Sequence, residues 1–303
     1  MIVSRAHFVG TVALILAACF CLLSGCRESS EASGSRATIQ NKGSDTMVNV
    51  AQAWAEEYRR VRPDVDVEVS GGGSGVGIAA LIKGTVDIAN ASRNMKPEEM
   101  AQARANTGKM PVELIVGYDA LAVFVHKDNP LDEISIDQLA GIYSEKGTIT
   151  LWSQLGVQIP NTRHDEIVRI SRQSSSGTYE FFREKVLSKK DFKLGSLDMN
   201  GSKEVVELVA GTPTAIGYSG MGYASAGVKM LKIAKEPGKP AVEPTMRTTL
   251  SKEYPIARSL QVYTLGQPAG EVKEYIEWMM GPDGQRVLEE SGYVPLPSKA
   301  GGR

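Results

Sequence analysis

The sequence predicts an α/β protein folded as two lobes that are joined by a pair of extended crossing segments. Three observations carry this. From Thr38 onward short apolar strands alternate with segments of helical apolar spacing. Two long extended stretches divide that alternation into two units. Three turns rich in glycine and hydroxyls each run directly into a helical segment.

A short strand is expected around Ile39, then the turn Gly43-Ser44-Asp45-Thr46, then a helix with Met47, Val50, Ala51, Trp54 and Tyr58 on one face. Val65, Val67 and Val69 alternate with Asp66 and Glu68 as a half-buried strand that feeds the loop Ser70-Gly71-Gly72-Gly73-Ser74-Gly75-Val76-Gly77. Ile78, Leu81 and Ile82 stripe the next helix, and a strand over 86–89 ends at Ser92-Arg93. This strand-helix alternation predicts parallel pairing, with sites at the carboxyl ends of the strands. The stretch 112–125, interrupted by Gly117-Tyr118-Asp119, exceeds a typical strand and is read as passing from one lobe to the other. Beyond it are expected a helix capped by Ser135, a polar region to Asp165, a strand over 167–171 and the third turn, Arg172-Gln173-Ser174-Ser175-Ser176-Gly177-Thr178. A helix over 202–209 and strands over 215–218 and 228–233 complete the second unit. The extended segment 259–265 returns the chain, and a helix over 270–280 with the tail 285–293 packs on the first lobe. Residues 38–117 and 262–303 are thus assigned to one lobe, and 118–261 to the other.

The N-terminus reads as an export signal. Arg5 and His7 precede an apolar run over 8–23, which is shorter than the ~20 residues of a spanning helix. Leu23-Ser24-Gly25-Cys26 resembles a bacterial lipobox, which predicts removal of 1–25 and lipidation of Cys26. The segment 26–37 is polar and is read as a flexible tether. Cys19 and Cys21 fall inside the signal, so Cys26 stands alone and no intramolecular disulfide or thiolate metal site is expected. The chain of 303 residues is 42% hydrophobic and 23% charged, enough apolar content for a packed core. Its formal net charge of −1 argues against nucleic acid, which needs an extended basic footprint.

The three turns share one chemistry. The first turn of a helix leaves backbone N–H groups unpaired and carries partial positive charge. Glycine admits an oxyanion to the backbone, and Ser and Thr add donors. Candidate ligand residues are therefore Ser44, Asp45 and Thr46 in the first turn, Ser74 and Gly75 in the second, and Arg172, Ser175, Ser176, Gly177 and Thr178 in the third. The guanidinium of Arg172 suits a bidentate oxyanion contact. Ser92-Arg93 fits either a ligand contact or a strand-end salt bridge. Three such turns in one chain point to a pocket around a small tetrahedral oxyanion such as phosphate. The second loop lacks the Gly-Lys-Ser/Thr ending of a nucleotide loop. His126 and His164 lie in polar surroundings away from these turns, and no metalloprotease, EF-hand or nucleophile-elbow motif occurs. No cofactor or metal is expected.

At these residues the chain resembles the phosphate-binding proteins of bacterial ABC importers, the PstS family. The matching pieces are GSDTM at 43–47, SGGGSGVGI at 70–78, VDIANASR at 86–93, RQSSSGTYEFF at 172–182 and AIGYSG at 215–220. The resemblance implies a periplasmic-binding-protein type II fold, each lobe a mixed sheet flanked by helices with a two-strand hinge. It also implies phosphate contacts from Ser44 and its neighbours, Ser74, Arg172, Ser176, Gly177 and Thr178. The expected partners are inorganic phosphate, an ABC permease and the membrane through lipid on Cys26, for a monomer held outside the cytoplasm. Within the binding class a sulfate or molybdate receptor is the alternative, and a phosphoester hydrolase is the alternative from another class. Many members carry an aspartate where this chain has Ser92, to accept the proton of hydrogen phosphate. Here Asp45 is expected to take that role.

Overall fold

In a computed structural model that describes residues 36–297, the chain begins with β1 (Ala37–Gly43), the centre of three parallel strands. It pairs with β2 (Val65–Ser70) on one side and β3 (Ile88–Ala91) on the other. Between β1 and β2 runs α1 (Val48–Val61), whose Val50, Ala51, Trp54 and Tyr58 recur every three or four residues and are buried together. The indole of Trp54 donates to the Gly284 carbonyl at 2.7 Å, tying this helix to the C-terminal part of the chain. Helix α2 (Ser74–Ile82) connects β2 to β3. A helix that the sequence pattern did not indicate follows, α3 (Pro97–Thr107).

The expected long crossing is one 16-residue strand, β4 (Pro111–His126). It is followed by β5 (Glu133–Ser135) and α4 (Ile136–Tyr143), where Ser135 caps the helix by accepting from the Gln138 N–H. The second parallel group comprises β6 (Val168–Arg172), β7 (Leu197–Met199) and β8 (Ala215–Gly220), with α5 (Gly177–Lys185) and α6 (Ser202–Gly211) connecting them. The single strand expected over 228–233 is instead two. β9 (Val228–Met230) pairs with β4, whereas β10 (Lys232–Ala234) pairs with β5 in a separate two-stranded sheet. A short helix α7 (Met246–Leu250) leads into the return strand β11 (Ala257–Leu265), and α8 (Gly270–Met280) and α9 (Pro282–Glu290) close the fold.

Across the main sheet the order is β2-β1-β3-β11-β4-β8-β6-β7. β11 runs antiparallel to both β3 and β4, and β4 antiparallel to β8, so two parallel groups are bridged by an antiparallel pair. The sheet is therefore mixed rather than parallel throughout.

Two large apolar clusters flank the bridge. One gathers Ile39, Trp54, Val116, Leu260, Val262, Tyr275 and Leu288. The other gathers Ala120, Leu121, Val123, Tyr143, Trp152, Phe182, Tyr218 and Ile256, with the Phe182 and Tyr218 rings stacked at 4.0 Å. β4 changes cluster between Val116 and Ala120, and β11 between Ala257 and Leu260. These are the two lobes and their two-strand connection. Among the described residues no helix is long and apolar enough to cross a membrane. The expected signal peptide and Cys26 lie outside the described residues, as does the expected tether apart from its last two residues.

Candidate anion site between the lobes

Each turn is placed by the strand before it. β1 delivers Ser44, Asp45 and Thr46, and the Ser44 N–H is fixed on the Asn90 carbonyl at 2.9 Å. Ser44 and Thr46 are buried. α2 begins at Ser74, whose Oγ accepts from the Ser92 N–H at 3.0 Å, while Ser44 Oγ donates to Ser92 Oγ at 3.0 Å. Thus β1, the glycine-rich loop and the end of β3 meet at one cluster of hydroxyls.

The third turn closes on this cluster from the opposite lobe. β6 ends in Arg172, and Ser176 caps α5 by accepting from the Thr178 and Tyr179 N–H groups. Thr178 Oγ1 lies 2.8 Å from Thr46 Oγ1. The Gly75 N–H donates to the Ser175 carbonyl at 2.9 Å, and Ser175 Oγ donates to the Gly72 carbonyl at 3.2 Å. Such closeness requires glycine. At Gly73, which has φ +98°, a Cβ would stand 2.5 Å from the Ser175 carbonyl oxygen, and at Gly177 it would stand 2.3 Å from Ser74 Oγ.

Arg172 is fully buried, with three donors placed: Nη1 to Ser202 Oγ at 2.9 Å, and Nη2 to the Asn200 carbonyl at 2.9 Å and to Asp45 Oδ2 at 3.2 Å. Its Nε is buried with no partner. Burial lowers the guanidinium pKa from its ordinary value, with Asp45 opposing that shift, and the group remains a cation. An unpaired buried donor on a cation is costly. An oxyanion entering the cluster would relieve that cost.

The structure brings Ser44, Asp45, Thr46, Ser74, Ser92, Arg172, Ser176, Gly177 and Thr178 together. Gly75 and Ser175 sit at the rim and bond one another across the lobes. Arg93 turns away: its two terminal nitrogens pair with the Glu99 carboxylate at 2.7 and 2.8 Å, which is the salt-bridge alternative. Both carboxylate oxygens of Asp45 are engaged, Oδ1 by the Gly72 N–H at 2.8 Å and Oδ2 by Arg172.

Two residues at the centre were not anticipated. Asp119 on β4 and Arg258 on β11 are register partners on the two connecting strands. Both are buried, with Arg258 Nε and Nη2 on Asp119 Oδ2 at 2.9 and 2.7 Å. Asp119 Oδ1 accepts from the Met221 N–H at 3.0 Å. A charge inside each apolar strand was the available signal, because such groups are buried only when paired. Outside the cluster, a groove of about 520 Å³ runs along the lobe junction, lined by Lys96, Glu180, Phe181, Arg183 and Lys189 among others.

A periplasmic-binding-protein (PBP) superfamily domain matches residues 28–283. The PstS phosphate-binding protein of Pseudomonas aeruginosa is 35% identical over 90% of this chain and 87% of its own length. The chain belongs to the PstS family. The Staphylococcus aureus PstS is 31% identical, covering 97% of this chain and 89% of the relative. A Clostridium perfringens substrate-binding protein of the phosphate ABC transporter type, solved with phosphate bound, superposes with a TM-score of 0.74 at 28% identity, covering 86% of this chain and all of that one. An ABC-type phosphate transport receptor from Vibrio cholerae gives 0.67 at 28% identity over the same shares. The family's two-lobed fold is thus the one observed here, and its members serve transport rather than catalysis.

Proposed function

We propose that this chain captures inorganic phosphate between its lobes and delivers it to an ABC permease, with no catalysis of its own. The observation that carries the reading is the buried Arg172, which has an unpartnered Nε and reaches Asp45 of the first turn, in a cleft where Thr46 and Thr178 bring hydroxyls of both lobes together. Ser44, Thr46, Ser74, Ser92, Ser176, Gly177 and Thr178 complete the donor shell around Arg172. Asp45 acts there by holding Arg172, which its Oδ2 accepts from at 3.2 Å while the Gly72 N–H fixes its Oδ1. One lobe is 38–117 plus the chain from Leu260 onward and the other runs from 118 to Ala257, so the return crossing lies between Ala257 and Leu260 rather than after 261. Cys26 carries the lipid that holds a monomer outside the cytoplasm, a reading supported by Leu23-Ser24-Gly25-Cys26.

Calorimetric titration with phosphate and with sulfate tests the ligand. Saturable one-to-one binding of phosphate that sulfate does not displace is expected. Preferential binding of sulfate or molybdate would replace phosphate as the ligand, and turnover of a phosphate ester would overturn the non-catalytic assignment.

A further inference from the structure

The two buried arginines of the cleft differ in what they have left to give. A guanidinium has five N–H donors. Arg172 has three of them placed and its Nε unpartnered. Arg258 has all five placed. Its Nε donates to Asp119 Oδ2, and Nη2 donates to the same oxygen and to Thr46 Oγ1 at 3.3 Å. Its Nη1 donates to the Ser92 carbonyl at 3.3 Å and to Thr178 Oγ1 at 3.1 Å. The Phe181 ring lies 5.6 Å from the guanidinium carbon. Arg258 therefore has no hydrogen to offer an anion.

We infer that Arg258 is a positioning residue: it turns the hydroxyls of Thr46 and Thr178 so that one of their protons is presented to the bound oxyanion. Hydrogen counting carries this. Both threonine oxygens accept from Arg258, and at 2.8 Å from one another they share one hydrogen bond. Two hydroxyls hold two hydrogens, so one serves the mutual bond and the other must find an acceptor elsewhere. The guanidinium lies on the lone-pair side of both oxygens, so that hydrogen points away from it. Without Arg258 either hydroxyl can rotate and present a lone pair, which repels an anion. Asp119 fixes the guanidinium from the facing strand, so the orientation is set at the connection between the lobes and reaches Thr46 on one side and Thr178 on the other.

This assignment rests on the oxyanion reading of the cleft, and a double-mutant cycle in ligand affinity tests it. Arg258→Lys keeps a cation beside Asp119 but cannot reach both hydroxyls, and about a 10- to 100-fold loss of phosphate affinity is expected. Thr178→Val should lose a similar factor, and the double variant should be little worse than either single one, because the two changes remove the same oriented hydrogen. Multiplicative losses, or Arg258→Lys within twofold of wild type, would overturn the assignment. Should Arg258→Lys fail to fold, Asp119→Asn replaces it in the cycle, with the same non-additivity expected and multiplicative losses again decisive against it. Running the cycle with phosphate, sulfate and molybdate separates the two readings. Coupling seen with sulfate or molybdate in a protein that rejects phosphate keeps Arg258 and removes phosphate. Phosphate binding without coupling keeps phosphate and removes Arg258. Binding of none of the three removes both.

Discussion

Gly177→Ala is the sharpest perturbation of the closed cleft. Gly177 is the first residue of α5, with its backbone in the range any residue adopts, so alanine introduces no strain within its own lobe. Its Cβ would lie 2.3 Å from Ser74 Oγ, 2.7 Å from Ser92 Oγ and 2.9 Å from Ser74 Cβ, all on the opposite lobe. Swinging the Ser74 hydroxyl aside would break its bond from the Ser92 N–H and leave the Cβ contact in place. The lobes must instead retreat by roughly 1 Å, which carries Thr46–Thr178, at 2.8 Å, and Gly75–Ser175, at 2.9 Å, beyond hydrogen-bonding length. Donors from the two lobes then no longer meet on one anion. Losing two hydrogen bonds to a charged ligand at ~1.5 kcal/mol each, the low end of their range, costs about 3 kcal/mol, or roughly 150-fold in affinity. Calorimetric titration of phosphate reads the loss, while the thermal midpoint without ligand should stay near wild type because opening relieves the contact. A dissociation constant within threefold of wild type would refute the argument that these lobes must touch at Gly177 to hold the ligand.

Asp45→Asn keeps an acceptor for the Gly72 N–H but turns an amide toward Arg172, so phosphate affinity should fall roughly 30-fold or more while the preference for phosphate over sulfate is retained. A relaxed preference in competition binding would place Asp45 on the ligand's own proton instead. Glu99 gives a pH signature: burial acts to raise its pKa, but hydrogen bonds from Arg93 and the Lys96 N–H outweigh it and hold the carboxyl below its ordinary value. A depressed folded-state value stabilises the protein above the unfolded value, near 4.5, and that stabilisation fades as pH falls through the folded value. Glu99→Gln should therefore lower the melting temperature at about pH 7 and by less at about pH 3. Equal melting at both would show the Arg93 pair to be inert.

What the sequence made legible was whatever repeats locally. Val50, Ala51, Trp54 and Tyr58 announce α1 because burial recurs at the helical period, and the three turns announce themselves because glycine and hydroxyls sit directly before a helix. α3 was missed for the converse reason. Its sequence PEEMAQARANT buries only Ala103, so no apolar stripe exists, although Pro97 at its start, Glu98 and Glu99 in its first turn and Gly108 at its end were available marks. The run 228–233 looked continuous because Leu231 is buried between two strands that belong to different sheets. Asp119 and Arg258 lie 139 residues apart, and only the register of β4 against β11 makes them partners. Arg93 shows the reverse case. Its place beside Ser92 invited a ligand role, yet Glu99 on the next helix claims it.

Each arginine of the cleft has its own carboxylate: Arg172 has Asp45 and Arg258 has Asp119. Formal charge in the cleft thus cancels before anything enters, and what greets an anion is a set of oriented dipoles whose pull dies away within a few ångströms. Salt ions in the medium screen long-range attraction between exposed charges far more than they weaken short contacts in a closed cavity. A receptor built this way gives up long-range steering and gains a grip that changes little between dilute and concentrated surroundings.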